Sequence, residues 1–217
     1  MNLSLHHLVR EPKIKLDKNP LLLLLHGYGS NEEDLFSFAN DLPDTYYVIS
    51  ARAPYNLQYG SFAWYAINFD ADENKFSDHD QARTSRDLIA NFIDELVANY
   101  PIDAKNVTLI GFSQGTILSY AVAISFPEKV QRVVAMSGYL NLDILTENYA
   151  KNDFSTLKIF ASHGTVDQVI PVSWARKAKP ILDSLGIESV YKEYPIGHGV
   201  SPQNFYDFKN WILSSSS

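Results

Sequence analysis

The chain has no cysteine among its 217 residues. That excludes disulfides, thiolate nucleophiles and cysteine-ligated metals. It also lacks a long apolar run: the densest stretch, Leu21 to Leu25, is far too short to cross a bilayer and reads as a buried strand. Positive charge is in deficit, with 18 Lys and Arg against 25 Asp and Glu and a net charge of -7, so no electrostatic footprint for nucleic acid or an anionic membrane is present. The first ten residues, Met1 to Arg10, carry no continuous apolar core of a secretory signal, and a cytoplasmic location is expected. Repeats and linkers are absent, and the one low-complexity tract, Ser214 to Ser217, is expected to be a disordered tail. No glycine-rich phosphate loop or His/carboxylate metal spacing occurs, so neither metal nor cofactor is expected. Asp70-Ala71-Asp72-Glu73-Asn74 has the oxygen spacing that opens a calcium loop. Lys75 occupies the turn-glycine position and Gln81 replaces the bidentate glutamate, which makes an acidic solvated loop the better account.

What is present is an alternation of strand-like and helix-like segments. This is the pattern of one α/β domain over residues 1–213, with a mostly parallel central sheet and helices on both faces. Residues 3–10 read as an edge strand and 20–25 as a buried one. Further strands are expected over 46–50, 131–136, 158–162 and 189–194. Ser30 to Glu33 spells a capping box for a helix carrying Leu35, Phe36, Phe38 and Ala39. A helix with Leu88, Ile89, Phe92, Ile93, Leu96 and Val97 on one face stops at Pro101. Another opens at Pro171 with Trp174, Ala178, Ile181 and Leu185 inward, and a kink or break is expected at Pro180.

The chemistry centres on Val107 to Gly115. A β-branched apolar run ends in Gly111-Phe112-Ser113-Gln114-Gly115 and passes straight into the apolar stretch Thr116 to Ala123. Strand, tight turn and helix around Gly-x-Ser-x-Gly make a nucleophile elbow, which holds the serine in a strained backbone conformation and projects its hydroxyl from the sheet. Gly111 and Gly115 are expected where helix and strand come too close for a Cβ.

A serine hydroxyl needs a base, itself oriented by a carboxylate. Of six histidines, His6 and His7 lie far from any strand's carboxyl end, and His79 sits in a charged run. His26 and His163 each precede a glycine at a strand end, where turn packing is the simpler role. His198, between two glycines after the last strand, is the candidate base. Among Asp143, Asp153, Asp167 and Asp183, only Asp167 directly follows a buried strand, and it completes the order Ser113, Asp167, His198. Backbone N–H groups of Tyr28 and Gln114 occupy the two oxyanion-hole positions.

His26-Gly27-Tyr28-Gly29, the elbow, His163-Gly164-x-x-Asp167 with Val169-Ile170-Pro171, and Gly197-His198 together resemble the phospholipase/carboxylesterase family. The similarity runs over nearly the whole chain. It implies an α/β-hydrolase fold, a Ser-His-Asp triad, no cofactor, and hydrolysis of carboxylic esters or thioesters. Ala63-Trp64-Tyr65 falls where family members carry a tryptophan near the acyl groove. Tyr28 departs from the smaller apolar residue that thioesterases commonly have there.

The expectation is therefore a serine carboxylesterase or thioesterase acting on short-to-medium acyl esters through an acyl-enzyme, as a monomer or homodimer. Phe62 or Trp64, with Tyr28, Val169 and Ile170, are the candidate substrate wall. The interval from Ser137 to Leu157 lacks a long amphipathic stretch, so no large lid is expected over the site, although this interval must supply the helix joining two strands. A dienelactone-hydrolase-like lactone hydrolase and a non-catalytic hydrolase-fold binding protein remain the alternatives.

Overall fold

The computed structural model describes residues 3–69 and 75–215, so the calcium-loop-like stretch 70–74 lies outside the described residues. The chain runs β1 (His7–Arg10), β2 (Asn19–Leu25), α1 (Glu33–Phe36), β3 (Tyr47–Ala51), β4 (Tyr55–Asn56), β5 (Phe62–Ala63), β6 (Ile67–Phe69) and β7 (Lys75–Ser77). Then come α2 (His79–Asn99), β8 (Ile102–Phe112), α3 (Gln114–Ser125), β9 (Arg132–Met136), β10 (Lys158–Gly164), α4 (Val172–Ala175), α5 (Ala178–Ser184), β11 (Glu188–Tyr194) and α6 (Pro202–Ser214). The pairs β4–β5 and β6–β7 are small separate hairpins.

The main sheet has the order β1-β3-β2-β8-β9-β10-β11. Only the β1–β3 pair is antiparallel; the other five pairings are parallel. The leucine run explains why β2 lies inside. Leu21, Leu23 and Leu25 face a core built with α2 and α3, while Leu22 and Leu24 face a second core with α1 and α6. Period-2 alternation of one apolar residue type buries both sides of the strand, as a parallel sheet covered on both faces requires. Helix α3 carries the point furthest: all of its residues are buried. The carboxyl ends of β2, β8, β10 and β11 therefore come out along one edge of the sheet, where open α/β sheets bind ligands.

Several local expectations give way to tertiary context. Ser30 does not cap α1; its hydroxyl donates to Asp34 Oδ2 at 2.8 Å, and Asn31 Oδ1 accepts from the Glu33 N–H instead. The helix expected from Pro171 is two short ones. The break falls at Arg176–Lys177, and Pro180 sits in the first turn of α5, where its missing N–H has no intrahelical partner to lose. Helix α6 extends to Ser214, so the first residue of the expected tail is helical, held by its Ser201 N-cap and the burial of Phe208 and Ile212. The Ser137–Leu157 crossing supplies no α-helix, only single 3-10 turns at Leu142–Ile144 and Tyr149–Lys151. Among the described residues no helix is long and apolar enough to cross a membrane.

Candidate active site

Ser113 follows β8 with φ 54° and ψ -115°, in the left-handed region that costs a side-chain-bearing residue energy. The turn is enforced by proximity. A Cβ on Gly115 would lie 2.0 Å from the Leu25 carbonyl oxygen, and one on Gly111 would lie 2.6 Å from the Gly115 backbone. Strand β2 and helix α3 thus pass closer than any larger residue permits. Thr116 Oγ1 ties the helix to the sheet: its one hydrogen faces the Gly111 and Met136 carbonyl oxygens, each 2.7 Å away, and it accepts from the Met136 N–H at 2.9 Å.

The Asp167 and His198 loops meet by the same kind of approach: a Cβ on Gly164 would come within 2.2 Å of the Gly197 carbonyl oxygen. Asp167 Oδ1 accepts from the Val169 and Ile170 N–H groups at 2.8 and 2.9 Å. His198 Nδ1 then lies 2.7 Å from Asp167 Oδ2. Burial works against ionisation of Asp167, but the hydrogen bonds from His198, Ile170 and Val169 outweigh it and hold the carboxyl below its usual range. With Nδ1 engaged, His198 Nε2 is the nitrogen left for chemistry. The His198 ring packs on Phe112, centroids 5.0 Å apart, beside Ser113. Among the described hydrogen bonds none joins Ser113 to His198; both residues line one cavity of about 690 Å³.

Tyr28 and Gln114 line that cavity too. Gln114 is the first residue of α3, so its N–H has no intrahelical acceptor. Two buried side chains hold these segments. His26 Nε2 accepts from the Ala53 N–H at 3.1 Å, so its hydrogen is on Nδ1 and donates to the Gly27 carbonyl at 2.8 Å. Burial lowers the pKa of this ring. Gln114 Oε1 accepts from the Trp64 N–H, and its Nε2 donates to the Tyr65 carbonyl, both at 2.8 Å. The sequence marked Gln114 for its backbone; its side chain is the staple that holds residues 64–65 over the elbow.

The substrate-wall expectations divide. Tyr28, Val169 and Ile170 line the cavity. Trp64 does not: it is fully buried, with Nε1 donating 2.9 Å to the His26 carbonyl, because an indole in this core needs an acceptor for its N–H. Phe62 does not either, since its ring lies under the Arg52 guanidinium at 4.6 Å and packs outside the cavity. Tyr65, Ile67 and Ile117 take their place, with Tyr139 and Trp174 meeting edge-to-face at 5.3 Å. Trp174, expected inward on a helix, is instead 47% exposed. His79 also lines the cavity rather than standing in an isolated charged run. No group of three or more His, Cys, Asp or Glu among the described residues could hold a metal.

The sequence profile of the family described as Phospholipase/Carboxylesterase matches residues 7–216. The chain belongs to that family. It is 28% identical over 152 residues to acyl-protein thioesterase 1 of Debaryomyces hansenii, covering 69% of this chain and 65% of that one. With acyl-protein thioesterase 1 of Candida albicans it shares 25% identity over 221 residues, 94% of this chain and 95% of the other. Against four of the curated relatives it matches, the chain spans between 45% and 65% of their length. The carboxylesterase of Bacillus cereus has a similar fold, at a TM-score of 0.83 and 21% identity over 99% of this chain and 96% of that one.

Proposed function

We propose that the protein is a serine carboxylesterase or thioesterase that hydrolyses small-molecule, short-to-medium acyl esters through an acyl-enzyme. The observation that carries this reading is the placement of Ser113, strained at φ 54°, in one cavity with His198, whose Nδ1 is 2.7 Å from Asp167. Family membership and the names of the thioesterase relatives support it.

Ser113 Oγ attacks the ester carbonyl carbon while His198 Nε2 takes its proton, and Asp167 stabilises the imidazolium. The Tyr28 and Gln114 N–H groups receive the oxyanion, aided by the positive end of α3. Collapse of the tetrahedral species breaks the bond to the alcohol or thiol, which leaves with the His198 proton. Water, deprotonated by His198, then releases the acid and restores Ser113. These steps need no metal or cofactor. The working assembly is a monomer or homodimer of one domain that ends with α6 at Ser214, in the cytoplasm.

A fluorophosphonate probe tests the proposal directly. Stoichiometric labelling that disappears in Ser113→Ala is expected. A folded wild-type protein that takes no label would point instead to a hydrolase-fold binding protein.

A further inference from the structure

The cavity is unevenly charged. Among the described residues that line it there is no Lys and no Arg, and one carboxylate, Asp34. Asp34 is exposed on α1, oriented by the 2.8 Å hydrogen bond from Ser30, and like Tyr28 follows β2, on the β2 side of Ser113. The neighbouring Glu32 is neutralised by Arg52, whose Nε donates to Oε2 at 2.7 Å. That guanidinium is thereby occupied and does not line the cavity.

Tyr28, at the same β2 end, is the aromatic face of the lining on this side, whereas Tyr139 and Trp174 follow β9 and β10 across Ser113. Burial pushes the hydroxyls of Tyr65 and Tyr139 above their usual range, so neither phenol adds negative charge to the cavity. The other side of Ser113, built from Ile117, Val169 and Ile170, is apolar. An ester in this site thus has one portion against an apolar wall and another on the side of a fixed negative charge and the Tyr28 ring. Carboxylate plus aromatic faces is the combination that accepts ammonium groups, and it repels carboxylates and phosphates.

Taking Ser113 as the nucleophile, as proposed above, we infer that Asp34 is a specificity determinant selecting esters that are uncharged or cationic on the portion beside it. Anionic esters, such as hemiesters of dicarboxylic acids or esters of phosphorylated alcohols, are turned away. For a unit charge held at the solvated rim, roughly threefold in kcat/KM is expected for each sign, or about tenfold between cation and anion.

The test compares two isosteric series at about pH 8, where free histidine is neutral. One carries the charge on the alcohol: butyrylcholine, its neutral carbon isostere and butyryl glycolate. The other carries it on the acyl chain: phenyl esters of trimethylammonio-butanoate, pentanoate and glutarate. In at least one series the order should be cation, neutral, anion, and the cation-to-anion ratio should collapse toward unity in Asp34→Asn. The wild-type ratio should also shrink as salt is raised, which does not depend on the variant folding. No discrimination in either series, a ratio that survives Asp34→Asn in a folded protein, or one indifferent to salt would each overturn the inference. Ser113→Ala separates the two readings, since turnover that persists there defeats the nucleophile assignment and not the charge preference.

Discussion

Asp167 Oδ2 is approached by two imidazoles, His198 Nδ1 at 2.7 Å and the fully buried His163 Nε2 at 3.3 Å. His163 Nε2 also donates to the Ile170 carbonyl at 2.8 Å, while its Nδ1 is buried without a partner among the described residues. The ring therefore pins the segment that forms the cavity wall, and through its Val169 and Ile170 N–H groups positions the acid. His163→Leu leaves the Ile170 carbonyl without its donor and loosens the segment whose Val169 and Ile170 N–H groups hold the charged form of Asp167, so the carboxylate becomes more basic and holds the protonated His198 more tightly. The acid limb of kcat/KM should move to higher pH, and His163→Gln, which keeps a side-chain N–H, should move it less. If both variants lose activity equally at every pH, His163 serves packing alone.

For the nucleophile, base and acid, the expected losses differ in size. Ser113→Ala and His198→Ala should each lower kcat by roughly 10⁴-fold or more, and Asp167→Ala by less, because Asp167 orients and stabilises without touching substrate. Asp167 is held below the usual carboxylate range, so it stays charged while imidazole titrates. The acid limb should accordingly have a slope of one, falling as His198 is protonated. A slope of two in a full pH profile would bring in a second group, with His79 in the cavity lining the first to examine.

Gln114→Ala separates fold from chemistry. The backbone N–H proposed for the oxyanion hole survives the change, but the Trp64 N–H and Tyr65 carbonyl lose their partners inside the core. Unpaired buried groups cost about 1–3 kcal/mol each. Thermal melts should show a clear drop in stability, with Ser113 still labelled by a fluorophosphonate below the transition. Ser113→Ala should show the reverse: no labelling and an unimpaired melt, since it keeps the Cβ, removes only a hydroxyl at the cavity and leaves the core filled. Loss of labelling in folded Gln114→Ala would mean that the staple sets the elbow itself.

The elbow, the acid loop and the base loop were legible because each is a short-range signal. Glycines that permit close approach, strand ends and chain order all sit within a few residues of the groups they position. Trp64 and Phe62 were misplaced for the opposite reason. What turns the Trp64 indole inward is the His26 carbonyl, 38 residues away, and the Gln114 side chain that grips its backbone. Nothing local distinguishes it from Tyr65, which does reach the cavity. Asp34 and Trp174 were hidden likewise: α1 and α4 are each four residues long, too short for periodicity to assign a face.

The width of the site leads to a prediction about chain length. Between β9 and β10 the chain makes only 3-10 turns, so no large lid covers the cavity among the described residues. Tyr139 and Trp174 instead form a rim, with Trp174 half exposed. An acyl chain lying along Ile117, Val169, Ile170 and this rim loses water only where it touches them. Each CH₂ should then contribute up to ~0.8 kcal/mol until the rim is passed, and nothing beyond it. A plot of log kcat/KM against acyl length should rise and then level off. Trp174→Ala should bring the plateau to a shorter chain while leaving the shortest ester unaffected. With no lid to open, specific activity should pass through the micelle threshold of a longer ester without a jump. A sharp rise at that threshold would show that some segment closes over the cavity in solution.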